Sequence, residues 1–311
     1  MRSGTYFKFT SDDVATNWNT AIQPVEHNLG EHPLFADDAL AALIEGNPHA
    51  IREISTMDPE REDHRSWKRG SHEGMTGLEL IEAIRQGVLW VNIGDVGKYD
   101  PRYQQFVTQL MQTLEAQVPG LKTFNHHIGI LISSPGARVF YHCDVPGQGL
   151  LHVRGEKTIW IYPGGDPFLP QAALERVVTG LTAEEIDYDP SFEQHAKRLV
   201  LTPGTGALWP LNWPHRVVNG PSLNVSVTIE YWTDEIRRHA LVNISNGVMR
   251  HLMGLNPRSR AVAGPAYWWK AAFVAAWKLS GLSKRYQAKY KAEFKVNQQA
   301  RAKQVFQQAA E

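Results

Sequence analysis

The chain of 311 residues has a single cysteine, Cys143, and therefore cannot form an internal disulfide. This excludes the disulfide-stapled secreted scaffolds and fits a reducing compartment. The first ten residues lack the apolar core of a secretory signal. The most apolar stretch, Ala266 to Leu282, is interrupted by Lys270 and Lys278 and falls short of the ~20 apolar residues that span a membrane. We therefore expect a soluble cytoplasmic protein.

The chain also lacks net charge, because 32 Lys and Arg balance 32 Asp and Glu, but the charges are unevenly placed. From Pro257 to Glu311 there are eleven Lys and Arg against two Glu, a net +9 that leaves −9 on residues 1–256. Such asymmetry can mark an anionic partner, although a basic tail packed on the acidic body or on a second subunit gives the same pattern. No recognised nucleic-acid-binding module accompanies the basic tail, so no nucleic-acid partner is expected.

Apolar residues make up 42% of the chain, enough to bury a substantial core. Residues 1–122 are predicted to form a mixed α/β region that packs on the rest of the protein. Periodicity and capping residues predict helices at 37–45, 76–86 and 101–117 and a strand at 88–93. The highly charged segment 57–74 is predicted to be a surface loop.

From Phe124 onward the sequence changes to short runs of strand-forming residues separated by Gly and Pro. Eight strands are predicted, at 124–133, 137–143, 148–153, 156–162, 198–201, 205–209, 214–219 and 222–232. This pattern predicts a mainly β protein with flanking helices, built on a double-stranded β-helix (jelly roll or cupin) core. The core is predicted to span 123–232, with an insertion at 165–196 over the mouth of the barrel.

The C-terminal region, 233–311, is predicted to be helical and basic. Two stripes of aromatic residues at four-residue spacing support this: Trp269, Phe273 and Trp277, then Tyr286, Tyr290 and Phe294. Aromatic stripes are usually buried, and we expect this region to form the interface of a homodimer. A basic helix with aromatic residues can also lie on an anionic membrane surface, and that alternative stays open.

A His-x-Asp pair, His142 and Asp144, and a distant His215 in Trp-Pro-His-Arg are the most informative residues of the chain. Residues two apart on a strand face the same side, which in a barrel is the interior. Two imidazoles and one carboxylate form the facial triad of non-haem Fe(II) enzymes, which leaves coordination positions open. The alternative is two core histidines and a turn aspartate. Three buried ionisable groups would be costly without a metal, which favours the iron site.

Lys157 lies 15 residues past His142, in Gly-Glu-Lys-Thr-Ile-Trp-Ile-Tyr-Pro, a segment typical of a buried strand. A buried lysine needs an anionic partner, and the far carboxylate of 2-oxoglutarate would form a charge-assisted pair with it. The alternative is a lysine at the strand mouth that reaches water. Ser226 and Thr228 share one face of the last strand and could add hydroxyl contacts to the co-substrate.

The stretch from His126 to Trp232 resembles the JmjC/cupin-type 2-oxoglutarate oxygenases. It is most similar to the subgroup of the asparaginyl hydroxylase that inhibits hypoxia-inducible factor, and to related bacterial cupin-like proteins. The matching segments are Tyr-His-Cys-Asp, Val-Arg-Gly-Glu-Lys-Thr-Ile-Trp-Ile-Tyr-Pro, Thr-Pro-Gly-Thr-Gly-Ala-Leu-Trp-Pro-Leu-Asn-Trp-Pro-His-Arg-Val and Asn-Val-Ser-Val-Thr-Ile-Glu-Tyr-Trp. The resemblance places the iron ligands on His142, Asp144 and His215, and the co-substrate lysine on Lys157.

The chain departs from this family at two positions near the co-substrate. Val139 stands where the family often has a threonine, and Thr228 or Glu230 stands where an asparagine is common. These departures leave the co-substrate contacts beyond Lys157 open, while the iron ligands are complete.

The resemblance implies an Fe(II)- and 2-oxoglutarate-dependent dioxygenase that converts 2-oxoglutarate and dioxygen to succinate while hydroxylating a substrate. The substrate, a protein or peptide side chain or a small molecule, is not identified by the sequence, and demethylation would use the same hydroxylation. Asp144 argues against halogenation, because a halogenase frees that position for halide. Two alternatives remain: a non-catalytic cupin that binds a ligand for regulation, and a Zn or Mn cupin isomerase.

Overall fold

The computed structural model describes residues 5–46, 51–58, 66–72, 74–98, 100–182, 186–286 and 291–296. In these ranges the strands are β1 (Phe7–Phe9), β2 (Gln23–His27), β3 (Ile51–Thr56), β4 (Lys68–Ser71), β5 (Leu89–Ile93), β6 (Phe124–Ser133), β7 (Arg138–His142), β8 (Gly147–Arg154), β9 (Lys157–Ile161), β10 (Lys197–Leu201), β11 (Thr205–Trp209), β12 (His215–Asn219), β13 (Asn224–Trp232) and β14 (Phe294–Lys295). The helices are α1 (Val14–Asn17), α2 (Asp37–Gly46), α3 (Gly77–Gln86), α4 (Pro101–Gln117), α5 (Gln171–Thr179), α6 (Asp234–Met253), α7 (Gly264–Leu279) and α8 (Leu282–Tyr286).

Strands β6 to β13 form two facing antiparallel sheets. The order β11-β8-β13-β6 lies in one sheet and the order β10-β9-β12-β7 forms the other. Apart from β9 and β10, which are neighbours in the second sheet, consecutive strands alternate between the sheets in the manner of a jelly roll. The predicted mainly β fold with a double-stranded β-helix core and flanking helices is confirmed.

The alternation of side chains decides which residues fill the barrel. On β9, Lys157, Ile159 and Ile161 are buried, and the residues between them are partly exposed. Ile159 and Ile161 join an interior apolar cluster with Leu150 and Trp209. The barrel interior is thus apolar at its centre, and polar side chains such as Lys157 lie at other positions along the strands.

The larger sheet continues beyond the jelly roll on both sides. Its full order is β1-β2-β11-β8-β13-β6-β5-β3-β4-β14. The outer face of this sheet packs on α2, α3 and α4 through one large apolar core. Thr76 begins α3 with a capping box that includes Glu79, and Asp100 caps α4 ahead of Pro101.

The prediction of a surface loop at 57–74 is wrong for much of the segment that the structure describes. Met57 is fully buried, and Lys68–Ser71 forms β4 beside β3. Trp67 packs against Trp90 and Phe140, with ring centroids 5.5 and 6.0 Å away. The many charged residues of this segment suggest exposure, but Lys68–Ser71 pairs with β3 and so becomes part of the sheet. Residues 59–65 and 73 lie outside the described residues.

The helical prediction for the C-terminal region holds for α6, α7 and α8 but is wrong at Phe294. Phe294 begins β14, which pairs in parallel with β4, and its ring lies over Gly70. Gly70 has no side chain to oppose the ring, so tertiary pairing overrides the helical spacing. Tyr290 lies outside the described residues. Among the residues that the structure describes, no helix is long and apolar enough to cross a membrane.

Candidate metal centre and its cavity

Two neighbouring strands bring the three predicted metal ligands together. His142 ends β7, Asp144 follows it in the turn to β8, and His215 begins β12. Strand β12 pairs with β7 so that His215 lies opposite His142. The ligating atoms of the three residues all lie within 4.8 Å of one another, and the two imidazole centroids are 4.1 Å apart.

Hydrogen bonds to backbone carbonyls orient both imidazoles. Nδ1 of His142 lies 2.7 Å from the Phe140 carbonyl oxygen, and Nδ1 of His215 lies 3.2 Å from the Trp213 carbonyl oxygen. A carbonyl can only accept, so Nδ1 carries the proton in each ring and Nε2 carries the lone pair. Burial, and then the nearby His142, lowers the pKa of His215 to about 4, which keeps its imidazole neutral at physiological pH. Both Nε2 atoms are therefore suited to bind a metal.

The carboxylate of Asp144 completes this donor set. Its buried Oδ2 accepts no hydrogen bond from any described residue, although it lies 3.2 Å from Nε2 of His215. Two electron-pair donors at that distance repel unless a cation lies between them, and an unpartnered buried carboxylate oxygen is costly. Two imidazole nitrogens and a carboxylate in this arrangement fit a divalent iron site that keeps positions open.

Asn212 supports the centre from the turn between β11 and β12. Its side-chain amide donates a 2.6 Å hydrogen bond to the backbone carbonyl of Asp144. Its φ of 59° lies in the left-handed region, where asparagine is tolerated better than most residues. The contact joins the turn that precedes His215 to the turn that carries Asp144. The sequence did not single out Asn212, because nothing local indicates which turn its amide reaches.

Lys157 lies at the other end of the same wall of the barrel. Ile161 pairs opposite His215, and Lys157 precedes Ile161 by four residues on β9, a distance of ~13 Å along the strand. Lys157 is only 3% exposed, so it lies inside the barrel and not at its outer surface. Burial lowers its pKa to about 7. Within the described part of the chain, no hydrogen bond or ion pair satisfies its ammonium group.

A cavity of about 520 Å³ connects the two ends, and its lining includes His142, Asp144, His215 and Lys157. Thr228 also lines it, with its hydroxyl oxygen 3.1 Å from the backbone nitrogen of Gly129. The structure thus brings five of the six predicted site residues to one cavity.

Ser226 is the exception. It is fully buried but is absent from the cavity lining, and its hydroxyl lies 3.0 Å from Nδ1 of His152. The predicted contact of Ser226 with the co-substrate is therefore not supported by the geometry. The phase of the strand identifies the inward face correctly. The phase alone does not show that the Ser226 hydroxyl forms a hydrogen bond with His152 on the neighbouring β8.

The sequence also missed several polar groups that line the cavity. Asn92 Oδ1, Gln148 Oε1 and Trp67 Nε1 are buried, and none of them forms a hydrogen bond with a described residue. Unpartnered buried polar atoms in a cavity are suited to a polar ligand. Asn92 and Trp67 come from segments outside the jelly roll, so their position depends on how β5 and β4 extend the sheet. Gln148 lies next to a turn and has no distinctive motif.

Aromatic residues near the ligands take different positions. Trp209 lines the cavity with its ring centroid 4.7 Å from that of His215. Tyr141 instead faces a separate apolar cluster and donates a hydrogen bond to the Phe168 carbonyl. From the predicted insertion, Val177 also lines the cavity.

Comparisons with known proteins support the fold. No family model matches the sequence, and no curated protein sequence matches it. The X-ray structure of Escherichia coli ycfD aligns with a TM-score of 0.51 at 14% identity, covering 93% of this chain and 75% of that one. Structures of the E. coli ribosomal oxygenase YcfD include one in complex with cobalt and 2-oxoglutarate, with a TM-score of 0.48, 15% identity and coverages of 92% and 74%. Another has a TM-score of 0.48, 13% identity and coverages of 93% and 74%.

At 14% identity and a TM-score of 0.51, the first of these comparisons shows that this chain and ycfD share a fold. The broader resemblance to JmjC/cupin-type oxygenases is compatible with this shared fold, and the fold alone is what the comparison shows. The narrower resemblance to the asparaginyl hydroxylase subgroup stays a prediction.

Proposed function

We propose that this chain is an Fe(II)- and 2-oxoglutarate-dependent oxygenase that hydroxylates its substrate. The observation that carries the proposal is the combination, in one cavity, of a His-Asp-His centre with a buried and unpaired lysine. Either feature alone would also fit a cupin that is not an oxygenase. Together they supply a metal site with open positions and a cationic anchor for a dicarboxylate.

The metal would be held by Nε2 of His142, a carboxylate oxygen of Asp144 and Nε2 of His215. When bound, Fe(II) would supply the activation of dioxygen that couples oxidative decarboxylation of 2-oxoglutarate to oxidation of the substrate. The chain's own contribution is to fix the ligands before the metal arrives. The carbonyls of Phe140 and Trp213 hold the imidazoles in the ligating tautomer.

Lys157 would bind the far carboxylate of 2-oxoglutarate. The ~13 Å along β9 must accommodate the lysine side chain, the co-substrate and its bond to the metal. A five-carbon dicarboxylate suits this gap better than a small inorganic anion does. Binding would return Lys157 to its charged form, because a carboxylate within hydrogen-bond distance opposes the effect of burial on its pKa. Thr228 would offer its hydroxyl on the facing sheet.

The alternatives are distinguished by what they require. A cupin isomerase has no need of a buried lysine at the far end of its cavity. A non-catalytic cupin would bind 2-oxoglutarate without consuming it. The substrate would be a protein or peptide side chain or a small molecule, and removal of an N-methyl group would proceed through the same hydroxylation.

The experiment that tests this function measures succinate formed from 2-oxoglutarate by the Fe(II)-loaded protein in air, with and without a cell extract. Mass spectrometry of the extract should show a product that gains one oxygen atom. The Asp144→Ala variant serves as the control. Binding of 2-oxoglutarate without succinate formation under any condition would favour the non-catalytic cupin. A protein that binds no 2-oxoglutarate would contradict the proposal.

A further inference from the structure

Helix α7 turns an apolar face away from the protein. Its inner side carries the buried Tyr267, Lys270 and Val274, and the Tyr267 ring lies 4.9 Å from the guanidinium of Arg238 on α6. On its outer side, exposed residues recur at the spacing of one helical face. They are Trp268, Trp269, Ala272, Ala275, Ala276 and Leu279.

The exposure of these residues is large. Trp268 is 63% exposed, Trp269 50% and Leu279 88%. Helix α8 continues the strip with Leu282 and Tyr286, which are 41% and 43% exposed. We call the strip formed by these two residues and the six exposed residues of α7 the α7–α8 face. A contiguous exposed apolar strip that includes two tryptophans is typical of an interaction surface.

The charged residues of the segment that carries the α7–α8 face are of one sign. The sequence contains no Asp or Glu from 236 to 292, whereas it contains eleven Lys and Arg there. Lys278, Lys284 and Arg285 are exposed beside the strip, and Arg258 and Arg260 are exposed in the loop before α7. An apolar strip with a purely basic rim is complementary to a partner that is apolar inside and anionic at its surface.

We propose that the α7–α8 face binds the surface of an anionic lipid bilayer. Trp268, Trp269 and Leu279 would enter the boundary between headgroups and acyl chains, and the basic rim would contact the headgroups. The helices would lie in the plane of the bilayer. This inference is independent of the proposed oxygenase activity.

Charge and apolar contact argue against two other occupants of this face, a second copy of the chain and a nucleic acid. In a twofold homodimer the same face of both copies meets, which would bring basic residues near the twofold axis against one another, because the segment 236–292 contains no Asp or Glu. A nucleic acid would satisfy the basic rim, but it would leave the tryptophans and alanines without an apolar partner. A bilayer satisfies both the apolar strip and its rim.

The experiment measures flotation of the full-length protein with vesicles of phosphatidylcholine alone and of phosphatidylcholine mixed with phosphatidylglycerol. We expect binding to the anionic vesicles only, weakened by high salt. Lys284→Gln with Arg285→Gln should lower the partition constant roughly 30-fold. Trp268→Ser with Trp269→Ser should lower it by about tenfold or more. Lys8→Gln with Lys197→Gln, at exposed lysines on β1 and β10, is the matched control and should change it less than about twofold.

Several results would overturn the proposal. One is the absence of flotation with anionic vesicles, and another is equal binding to both kinds of vesicle. A homodimer, seen by light scattering without lipid, that Trp268→Ser with Trp269→Ser converts to a monomer would assign the face to a second copy. The homodimer predicted from the sequence would then be supported. Binding to duplex DNA in place of vesicles would assign the face to a nucleic acid.

Discussion

Replacement of Lys157 by methionine distinguishes a role in binding 2-oxoglutarate from a purely structural role. Methionine keeps a long apolar side chain but removes the ammonium group. If Lys157 binds the far carboxylate of 2-oxoglutarate, the variant leaves that carboxylate buried and unpaired, at a cost of roughly 2–5 kcal/mol. The co-substrate affinity should therefore fall by about 30-fold or more, while the affinity for iron, bound at the other end of the cavity, should change little.

The same substitution should stabilise the protein in the absence of co-substrate. Burial lowers the pKa of Lys157 from 10.5 to about 7, so folding opposes the charged form. Below pH 10.5 the Lys157 amine is protonated in the unfolded chain, and the folded chain binds that proton less tightly. The stability of the wild type should consequently fall as pH decreases from 10.5 to about 7. Methionine removes this dependence and should raise the free energy of unfolding at neutral pH by on the order of a few kcal/mol.

The assay combines calorimetric titration of 2-oxoglutarate into metal-loaded protein with thermal unfolding of the metal-free protein. Lys197→Met is the matched control, since Lys197 is exposed on the adjacent β10. In the wild type, 2-oxoglutarate should also bind more weakly as pH rises above 7, because binding then requires uptake of a proton. Unchanged affinity in Lys157→Met would place the anchor elsewhere. Parallel losses of iron and of stability would mean that Lys157 is structural.

Three further predictions concern the centre and its support. Alanine at any of the three metal ligands, Asp144→Ala for example, should abolish succinate formation and lower the bound iron, with thermal unfolding little changed; normal turnover in that variant would contradict the facial triad. Asn212→Ala should lower the affinity for a divalent metal by about tenfold or more, measured by titration with Mn²⁺, and an unchanged affinity would remove its positioning role. Thr228→Val should raise the 2-oxoglutarate concentration needed for half-maximal rate by roughly threefold to tenfold. Ser226→Ala should leave that concentration unchanged, and equal effects of these two variants would return Ser226 to the co-substrate site.

The barrel could be predicted because its signals are local. Alternating apolar residues separated by Gly and Pro define its eight strands. His142 and Asp144 do meet at one centre, but not as two residues of one strand, because β7 ends at His142 and Asp144 lies in the following turn. The pairing of β12 with β7, which the sequence pattern does not specify, then places His215 opposite His142. The metal centre is readable from the sequence because its residue types are rare inside a barrel.

The remainder of the cavity depends on long-range pairing. Trp67 reaches the cavity only because the charged segment after β3 folds as β4, and Asn92 does so only because β5 adds to the edge of β6. Phe294 joins the sheet because β4 offers it an unpaired edge and Gly70 leaves room for its ring. No local periodicity encodes such contacts. A sequence pattern therefore predicts the metal-binding residues but not the other residues that line the cavity.

Helix α5 connects one of these walls to the C-terminal helices. Its Val177 lines the cavity, and its fully buried Glu175 accepts a 2.7 Å hydrogen bond from Nε of Arg250 on α6. The two helices approach closely because Gly247 has no side chain; a Cβ there would lie 2.2 Å from the Thr179 hydroxyl. Helix α6 in turn supports α7 through the contact of Arg238 with Tyr267. The cavity wall and the α7–α8 face therefore belong to one packed unit. Binding of a bilayer at that face would fix the orientation of the cavity relative to the bilayer surface.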